Sequence, residues 1–485
     1  MKLKELIINQ NYKQLIGAED RDVAGLHFDS RAIEADFLFI AVRGTHVDGH
    51  RFIEKAIESG AKTIVVEELP EQLNDDVTYI EVENSARTVG QLAAQYYGNP
   101  SAELKLVGVT GTNGKTTIAT LLYQLFSNMG YHTGLFSTID IRIGTQPIPA
   151  THTTPDAISL NKLMREMVDA GCEYCFMEVS SHSIDQFRIE GLQFDGGIFT
   201  NLTHDHLDYH QTFKAYLNAK KAFFDGLPKN AFALTNADDK NGMVMLQNTA
   251  AKKQTYSQRA MADFHAKALE PHFDGMLLEM AGSEVWTHFV GKFNVSNLLA
   301  VYASAVLLGH DATEVLTHIS SLKPVAGRFE TIKSKDGRFA IVDYAHTPDA
   351  LKNVLNSITE LRTSAETLFT VVGAGGDRDK TKRPEMAHEA CLLSDRVILT
   401  SDNPRTEDPE QIIKDMQEGV EVQYRNKVLA ITNRREAIRA ACMMAQPGDI
   451  ILVAGKGHED YQEINGVKHH FDDREVIREI FDENA

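Results

Sequence analysis

The chain has 485 residues, of which 43% are hydrophobic and 24% charged, and it contains no biased tract that would indicate disorder. Its 49 Lys and Arg against 68 Asp and Glu give a formal net charge of −19, which excludes a nucleic acid or an anionic membrane as the expected main partner. At about 100–200 residues per domain, this length indicates about three domains.

The N-terminus, Met1–Leu6, lacks the apolar core of a signal peptide, and no apolar run reaches the length of a membrane span. We therefore expect a cytoplasmic protein. Cysteines are too few and too scattered for a disulfide framework, and we expect them to be buried thiols in a reducing compartment. They are Cys172, Cys175, Cys391 and Cys442.

Short β-branched runs alternate with amphipathic helical stretches from end to end, which is typical of α/β domains with mainly parallel sheets. Such runs occur at 63–66, 106–109, 339–342, 368–372 and 450–453. Gly, Asn and Pro at 97–101, and Pro and Gly at 323–328, indicate two domain joints. We therefore predict three domains, over residues 1–100, 101–327 and 328–485.

Residues 106–117, with the sequence LVGVTGTNGKTT, predict a strand, a glycine-rich turn and a helix. Backbone amides of such a turn cradle phosphate oxygens; Lys115 would lie near the β- and γ-phosphates, and the Thr116 hydroxyl could bind Mg²⁺. Val109 stands where the strict pattern has glycine. The predicted ATP or GTP site comprises Gly111, Thr112, Asn113, Gly114, Lys115, Thr116 and Thr117.

A second group of polar residues follows in the same segment. Glu178 ends a predicted buried strand, and residues 204–210 contain three His and two Asp. Alone, His204 and His206 are compatible with a zinc pair or with a hydrogen-bonded loop. Beside a nucleotide site, hard ligands of this kind favour Mg²⁺.

Taken together, these runs resemble the Mur ligase family of peptidoglycan synthesis. The resemblance is carried, in this order, by residues 110–116, 178–182, 200–202, 205–210, 216–220, 291–297, 327–330, 343–349 and 375–380. It implies a three-domain α/β architecture with a central P-loop ATPase domain and a Rossmann-like C-terminal domain. It also implies an ATP-dependent ligase that forms an amide through an acyl phosphate.

The resemblance implies roles for residues of the central and third domains. Thr116 and Glu178 would hold one Mg²⁺, and His206 a second. Lys220 matches a lysine that the family carbamylates, although from the residues alone Lys220 and Lys221 would be a solvated pair on a helix. The implied catalytic set is Lys115, Glu178, His206 and Lys220. Asn294 and Asn297 would contact adenine, whereas Arg328 and Asp343 would close on ATP from the third domain.

The resemblance also implies a site for a uridine-diphosphate substrate. Ser30 and His46, in the first domain, would hold the uridine diphosphate. In the central domain a further set would contact the muramoyl dipeptide, namely Thr153, Thr154, Ser180, Gln186 and Arg188. Pro155 follows the threonine pair where the family has glycine, which is a departure in that loop.

The run Asp402-Asn403-Pro404-Arg405 is the most informative short motif. Pro404 fixes its own φ and biases Asn403 to an extended conformation, and an arginine fork suits a carboxylate. In isolation the run could be a surface loop. It resembles the signature of family members that add meso-diaminopimelate, and Arg378, Gly455 and Glu459 match their remaining amino-acid contacts.

We therefore predict a monomeric ligase that adds meso-diaminopimelate to UDP-N-acetylmuramoyl-L-alanyl-D-glutamate. A ligase of the same fold could instead add L-lysine or another amino acid, or use a folate acceptor. A P-loop nucleotide-binding protein without ligase activity is the more distant alternative. For the base that deprotonates the incoming amine, His346 and His458 are candidates by chemistry only. The anionic substrates would enter through local cations such as Lys115, Arg188, Arg378 and Arg405.

Overall fold

The computed structural model describes residues 1–44, 47–150, 152–363 and 365–483. In the described part of the chain each third of the sequence forms its own β-sheet, over residues 14–81, 105–287 and 330–454. The predicted joints near residues 100 and 327 thus lie between successive sheets. Most neighbouring strands are parallel and are connected through helices, which confirms the predicted α/β class.

The first sheet has strands β1 (Gln14–Ile16), β2 (Gly25–His27), β3 (Phe37–Ile40), β4 (Thr63–Val66) and β5 (Thr78–Glu81), with helices α1 (Leu3–Leu6), α2 (Ile53–Glu58) and α3 (Ser85–Tyr96). The strand order is β1-β5-β4-β3-β2, and β1 is antiparallel to its neighbour. Every residue of β4 is buried, as expected for a parallel strand covered on both faces.

The second sheet has strands β6 (Lys105–Thr110), β7 (Thr133–Phe136), β8 (Asp140–Ile143), β9 (Gln146–Pro149), β10 (Tyr174–Glu178), β11 (Gly196–Phe199), β12 (Phe232–Asn236), β13 (Lys252–Ser257), β14 (Phe264–His272), β15 (Gly275–Met280) and β16 (Ser283–Thr287). Its helices are α4 (Lys115–Asn128), α5 (Ala157–Asp169), α6 (Ser181–Asp185), α7 (Leu207–His210), α8 (Phe213–Asp225), α9 (Gly242–Met245), α10 (Lys292–Leu307) and α11 (Ala312–Ile319). Strand β6 lies between β11 and β10 and is parallel to both.

The third sheet has strands β17 (Glu330–Lys333), β18 (Phe339–Asp343), β19 (Leu368–Ala374), β20 (Arg396–Ser401), β21 (Val428–Ala430) and β22 (Ile450–Ala454), followed by a hairpin of β23 (Tyr461–Ile464) and β24 (Val467–His470). Its helices are α12 (Pro348–Leu361), α13 (Lys382–Leu393), α14 (Pro409–Gln417), α15 (Arg434–Met444) and α16 (Asp473–Glu483). The order is β17-β18-β22-β19-β20-β21, with only the edge strand β17 antiparallel.

The cores lie between each sheet and the helices on its faces. In the second domain, Ile118, Leu122 and Leu125 of α4 pack into a hydrophobic cluster that also contains residues of α10. The four cysteines are buried free thiols, as predicted. Among the described residues, no helix combines the length and apolar character needed to cross a bilayer.

Candidate functional site

Three parallel strands of the second sheet bring the predicted phosphate loop and the predicted metal ligands together. Strands β6, β10 and β11 lie side by side, and they end at Thr110, Glu178 and Phe199. Because the carboxyl ends of parallel strands meet at one edge of a sheet, the segments that follow them line a common crevice. The glycine-rich turn, Glu178 and Thr200 therefore share this edge.

Close packing explains two glycines of the phosphate loop. Gly111 has φ +149°, and a Cβ built on it would lie 1.8 Å from Thr200 Oγ1. Gly114 has φ +90°, and a Cβ there would lie 2.8 Å from Asn297 Oδ1. The loop therefore needs glycine both for its backbone conformation and for its close approach to β11 and α10.

Side chains and backbone after β11 hold the loop in place. Thr112 N donates to the Asn201 carbonyl at 2.8 Å, and Asn113 N donates to Asn201 Oδ1 at 2.9 Å. Thr200 Oγ1 donates to the Asn113 carbonyl at 2.6 Å. The amides of Thr112 and Asn113 thus already donate hydrogen bonds to Asn201 and are not free for a phosphate. The anion cradle therefore lies at the start of α4, where the first helical amides have no partner within the helix.

Two cations face this helix N-terminus. Lys115 Nζ folds back to the carbonyls of Gly111 and Thr112, at 2.9 and 2.8 Å. Arg328, from the third segment, donates through Nη2 to Thr116 Oγ1 at 3.1 Å. Burial lowers the pKa of Lys115, with Glu178 opposing that effect. The positive charges of Lys115 and Arg328 thus lie at the positive end of the helix dipole of α4, as an anion site requires.

The geometry of Glu178 fits a cation. Its side chain is fully buried; Oε1 accepts the Thr138 amide at 2.6 Å, whereas Oε2 is buried and has no hydrogen-bond partner among the described residues. Within those residues no three His, Cys, Asp or Glu side chains form a metal cluster, so any ion here would also need hydroxyl, phosphate or water ligands. An unsatisfied buried carboxylate oxygen is the donor that Mg²⁺ prefers.

His206 immediately precedes the short helix α7 and has a left-handed conformation, with φ +53°. Its ring lies 5.0 Å from the His182 ring and 6.1 Å from the Tyr216 ring, centroid to centroid. Its Nε2 lies 3.5 Å from Asp205 Oδ2. Burial lowers the pKa of His206, which favours the neutral imidazole that binds metals.

Lys220 is buried, and the alternative of a solvated lysine pair is wrong. On α8 its side chain is 1% exposed, and Nζ donates to the Gly111 carbonyl at 2.8 Å and to Thr110 Oγ1 at 3.4 Å. Lys221 is also buried and forms an ion pair with Asp225 at 2.6 Å. Burial, reinforced by Lys115, lowers the pKa of Lys220 well below its usual value.

The predicted adenine contacts form a buried pair on α10. Asn297 Nδ2 donates to Asn294 Oδ1 at 3.0 Å, and Asn294 Nδ2 donates to the Val290 carbonyl at 2.8 Å. The structure thus places Asn297 against the phosphate loop, next to Gly114. The remaining loop residue of the prediction, Thr117, is buried in the first turn of α4.

Arg328 and Asp343 belong to one network in the third segment. Asp343 Oδ2 accepts the Phe329 amide at 2.7 Å, and the Arg328 guanidinium lies 4.3 Å from the centroid of the Tyr344 ring. Burial raises the pKa of Asp343 to about 6, although Arg328 acts against it. Arg328 Nε is buried without a partner among the described residues.

Two further contacts join the third segment to the phosphate site, and the sequence did not identify them. Asn113 Nδ2 donates to Asp349 Oδ2 at 3.2 Å, and Lys382 Nζ pairs with Asp205 Oδ1 at 2.5 Å. Burial disfavours the ionised form of Asp205, but the ion pair with Lys382 opposes this effect, and the pKa of Asp205 is lowered. Asn113, Asp205 and Asp349 lie inside the runs that carry the resemblance, whereas Lys382 lies two residues beyond the run 375–380. Nothing local indicated which distant residue each of them meets.

In the third sheet, the predicted amino-acid contacts follow neighbouring strands. Arg378 follows β19, Asp402 to Arg405 follow β20, and Gly455 to Glu459 follow β22. The order β22-β19-β20 makes these segments adjacent at the carboxyl edge. The structure therefore brings together the pieces that the sequence linked only by resemblance.

Asp402 is buried beside Gly455. A Cβ on Gly455, which has φ +115°, would lie 2.4 Å from Asp402 Oδ2. The amide of Asn403 donates to Asp402 Oδ1 at 2.6 Å, and Gln462 Nε2 donates to the Asp402 carbonyl at 2.6 Å. Pro404 follows in a buried position, so this run is not an exposed surface loop.

A buried lysine ties Asn403 to Glu459. Asn403 Nδ2 donates to Glu459 Oε2 at 2.7 Å, and Lys456 Nζ contacts both Asn403 Oδ1 and Glu459 Oε2 at 3.2 Å. Lys456 is fully buried and was not among the predicted site residues, although it lies between Gly455 and Glu459. Among the described residues, Glu459 Oε1 has a single contact, at 3.5 Å from Tyr344 Oη, so it can accept a ligand donor.

Arg405 and Arg378 flank one glycine. The position of a Cβ on Gly375 lies 3.0 Å from Arg405 Nη1 and 3.7 Å from Arg378 Cγ. Arg405 Nη1 donates to the Gly376 carbonyl at 2.7 Å, whereas Arg378 is exposed. The two arginine side chains thus approach the same glycine, and two guanidinium groups close together suit a carboxylate.

Most residues predicted for the muramoyl dipeptide form one network beside Glu178. Thr154 Oγ1 donates to the Glu178 carbonyl at 2.8 Å, and Arg188 donates to the Thr154 carbonyl at 2.9 Å and to Gln186 Oε1 at 2.6 Å. Ser180 caps α6 by accepting the Ser183 amide.

Thr153 Oγ1 accepts a hydrogen bond from Thr138 Oγ1 at 3.1 Å. Ser30 is buried at the start of a 3₁₀ turn over Ser30–Ala32, in the first sheet's domain. The predicted uridine contact His46 lies outside the described residues. The structure thus groups the dipeptide residues, but it does not join Ser30 to them by a hydrogen bond among the described residues.

The two histidines considered as bases lie near Tyr344. His346 Nδ1 is 2.9 Å from the Tyr344 carbonyl, and the His458 ring is 5.1 Å from the Tyr344 ring. Burial lowers the pKa of both histidines, that of His458 to about 3. His458 Nδ1 has no partner among the described residues. Neither contact selects one of them as the base.

Comparison with protein families places this chain among ligases. Residues 22–97 match the "Mur ligase family, catalytic domain", residues 109–305 the "Mur ligase middle domain", and residues 327–457 the "Mur ligase, glutamate ligase domain". The three matches follow one another along the chain in the same order as its three sheets.

Among curated proteins, the chain is similar to UDP-N-acetylmuramoyl-L-alanyl-D-glutamate–2,6-diaminopimelate ligases. The enzyme of Phocaeicola vulgatus is 60% identical over 481 residues, which cover 99% of each chain. The enzyme of Clostridium tetani is 43% identical over 492 residues, with both chains covered completely.

The fold of this chain is also similar to the folds of solved structures. A structure of a ligase with that same name superposes with a TM-score of 0.71 and 33% identity, covering 100% of this chain and 99% of the other. A folylpolyglutamate synthase of Mycobacterium tuberculosis has a TM-score of 0.63 at 17% identity, covering 76% of this chain and 92% of that chain. At that identity the second likeness concerns the fold alone.

Proposed function

This chain belongs to the Mur ligase family, and we propose that it joins 2,6-diaminopimelate to UDP-N-acetylmuramoyl-L-alanyl-D-glutamate in peptidoglycan synthesis, at the expense of ATP. The observation that carries the proposal is the cluster at the carboxyl edge of the third sheet. There Arg405, Arg378 and the bonded pair of Asn403 and Glu459 offer two cations and a carboxylate. A diamino diacid presents the complementary charges.

The three segments divide the work in this proposal. Residues 1–100 would anchor the uridine diphosphate, residues 101–327 would bind ATP, and residues 328–485 would bind the incoming amino acid. All three sets of residues come from one chain, which is compatible with a monomer. We place the reaction in the cytoplasm, where ATP is available.

ATP would bind with its phosphates at the start of α4. Lys115, now bonded to loop carbonyls, would turn to the phosphates, and Arg328 already reaches this helix terminus through Thr116. Asn297 and Asn294 would lie on the adenine side of the loop. The positive charges of Lys115 and Arg328 would offset the repulsion between the γ-phosphate and the acceptor carboxylate. Transfer of the γ-phosphate to that carboxylate gives an acyl phosphate and ADP.

Mg²⁺ would be held by Thr116 and Glu178, and by His206 at a second position. The fit rests on Glu178 Oε2, which is buried and unsatisfied among the described residues. When bound, Mg²⁺ neutralises phosphate charge. Lys220 would support the second position as a carbamate, since only a neutral amine reacts with CO₂ and burial lowers the pKa of Lys220.

The amine of the amino acid would then attack the acyl phosphate and release phosphate. Arg405 and Arg378 would hold its distant carboxylate, and Glu459 Oε1 would accept from its distant ammonium. A ligase that adds L-lysine would have no use for the carboxylate contact, so the arginine pair favours the diacid. The same pair is unexplained if the protein only binds nucleotides.

A coupled assay of ADP release tests the proposal. The purified protein receives ATP, Mg²⁺ and UDP-N-acetylmuramoyl-L-alanyl-D-glutamate, together with meso-diaminopimelate, LL-diaminopimelate, L-lysine or L-ornithine. We expect the highest kcat/KM with a diaminopimelate isomer, and a product heavier than the acceptor by diaminopimelate minus water. Equal kcat/KM with L-lysine, or ATP hydrolysis that needs no acceptor, would contradict the proposal.

A further inference from the structure

Two loops carry the arginines of the amino-acid site, and both contain a strained residue. The first loop, residues 375–380, follows β19; the second, residues 402–408, follows β20. Asp377 in the first has φ +53°, and Arg405 in the second has φ +52°. A non-glycine residue in this region is strained and persists only where its surroundings fix it.

The loops are bonded directly to each other. The amide of Gly376 donates to the Asn403 carbonyl at 2.9 Å, and Arg405 Nη1 donates to the Gly376 carbonyl at 2.7 Å. Asp377 accepts twice from Thr406, from the amide at 3.2 Å and from Oγ1 at 2.7 Å. The two strained residues thus belong to a reciprocal clasp between the loops, which consists of Gly376, Asp377, Asn403, Arg405 and Thr406.

Behind this clasp lies a charged pair, Glu407 and Arg383. Glu407 Oε1 accepts the Asp377 amide at 2.6 Å and Arg383 Nη2 at 2.8 Å, and Oε2 accepts Arg383 Nη1 at 3.0 Å. Arg383 is 1% exposed and also bonds to Asp415 at 2.7 Å and to the Gly375 carbonyl at 3.3 Å. The bond to Arg383 lowers the pKa of Glu407 to about 2, so the carboxylate stays charged.

We propose that Glu407 and Arg383, acting through Asp377 and Thr406, are positioning residues that fix the separation of Arg378 and Arg405. They thereby set the preference for an amino acid with a second carboxylate. The inference rests on the proposed function. Neither Glu407 nor Arg383 needs to touch the substrate: Glu407 joins the two loops, and Arg383 anchors Glu407 to α14 through Asp415.

A shift between the two loops should weaken the binding of one substrate, diaminopimelate. Bidentate binding of a carboxylate by arginine depends on the position of the fork, so a shift between the loops weakens the grip on the diacid. L-Lysine has no second carboxylate and does not use this grip. In the proposed function, the residues that contact ATP and the uridine-diphosphate substrate lie outside these two loops. A change in the clasp should therefore raise one KM and leave the other two unchanged.

Two variants and a matched control test this inference. Thr406→Val removes the exposed Oγ1 bond to Asp377, and Glu407→Gln removes the charge that faces Arg383. The control Thr381→Val removes an equivalent exposed bond, from Thr381 Oγ1 to Asp379 Oδ1 at 2.6 Å. This bond joins the first loop to the residue just beyond its end and does not reach the second loop. Steady-state ADP release gives KM for diaminopimelate, ATP and the acceptor, and kcat/KM for L-lysine.

We expect the KM for diaminopimelate to rise about threefold in Thr406→Val and about tenfold or more in Glu407→Gln. The KM values for ATP and the acceptor, and kcat/KM for L-lysine, should stay within about twofold of wild type, as should every constant of Thr381→Val. If Glu407→Gln does not fold, Thr406→Val decides the question, because its lost bond is at the surface.

An unchanged KM for diaminopimelate in the variants that fold would overturn the inference, and so would an equal rise of all three KM values. A wild-type protein that does not use diaminopimelate refutes the proposed function, and the inference falls with it. A wild-type protein that prefers diaminopimelate, with variants that keep this preference, refutes the positioning role alone.

Discussion

Replacing Lys220 by methionine should stabilise the ligand-free protein and abolish its ligase activity. The Lys220 amine is 1% exposed and has one good acceptor, the Gly111 carbonyl at 2.8 Å, and one long contact of 3.4 Å to Thr110 Oγ1. Methionine has a similar length and no charge to desolvate. The variant therefore keeps the packing of α8 and loses the burial penalty.

The lowered pKa of Lys220 sets an upper limit to the effect on stability. A lysine in the unfolded chain titrates near 10.4, and each unit of lowering costs the folded state about 1.4 kcal/mol, so the penalty at pH 7 has a ceiling of about 5 kcal/mol. The bond to Gly111 offsets about 1–2 kcal/mol of that. We expect Lys220→Met to unfold with a free energy about 1–3 kcal/mol higher than wild type at pH 7, in CO₂-free buffer.

The difference should depend on pH with a fixed sign. Between the folded pKa of Lys220, which burial lowers, and the unfolded value near 10.4, the unfolded wild-type chain binds more protons than the folded one. Wild-type stability therefore rises with pH in this window, by at most about 1.4 kcal/mol per unit, whereas the methionine does not titrate. The advantage of Lys220→Met should shrink from pH 7 to pH 9 and vanish above about pH 10.4.

The neighbouring lysine supplies the matched control. Lys221 is also buried on α8, but it pairs with Asp225 at 2.6 Å. Lys221→Met should lose about 0.5–1 kcal/mol and keep its ligase activity within about twofold. Urea unfolding at several pH values measures the stabilities, and ADP release measures the activity. A Lys220→Met protein that is less stable than wild type, has a pH-independent difference, or remains active would refute the reasoning.

Two other substitutions test the binding sites. Arg405→Lys keeps the positive charge but loses the fork, so the KM for diaminopimelate should rise about tenfold with the KM for ATP unchanged; equal rises of both would argue against a carboxylate contact. Gly111→Ala places a Cβ 1.8 Å from Thr200 Oγ1 at a φ of +149°. It should lower stability by about 1–3 kcal/mol in thermal unfolding and raise the KM for ATP about tenfold or more; wild-type values in both measurements would show that the loop does not need this glycine.

The local sequence determined the fold class and the phosphate loop. Alternating β-branched runs and helical stretches predict parallel α/β sheets, and glycines at 111 and 114 before Lys115 predict an anion cradle. These signals are local, because hydrophobic periodicity and turn chemistry act over a few residues. They were sufficient to order the segments and to support the family resemblance, even with Val109 and Pro155 departing from its pattern.

Only the tertiary structure decided which residues meet and which are buried. Lys220 and Lys221 look like a solvated pair in sequence, yet both are buried on α8, and of the two it is Lys220 that bonds to the phosphate loop. Asn113 and Asp349 are 236 residues apart, and Glu407 reaches Arg383 from a separate loop. Such contacts depend on the order in which strands join a sheet and on how the domains dock. Neither of these is set by residues that are neighbours in the chain.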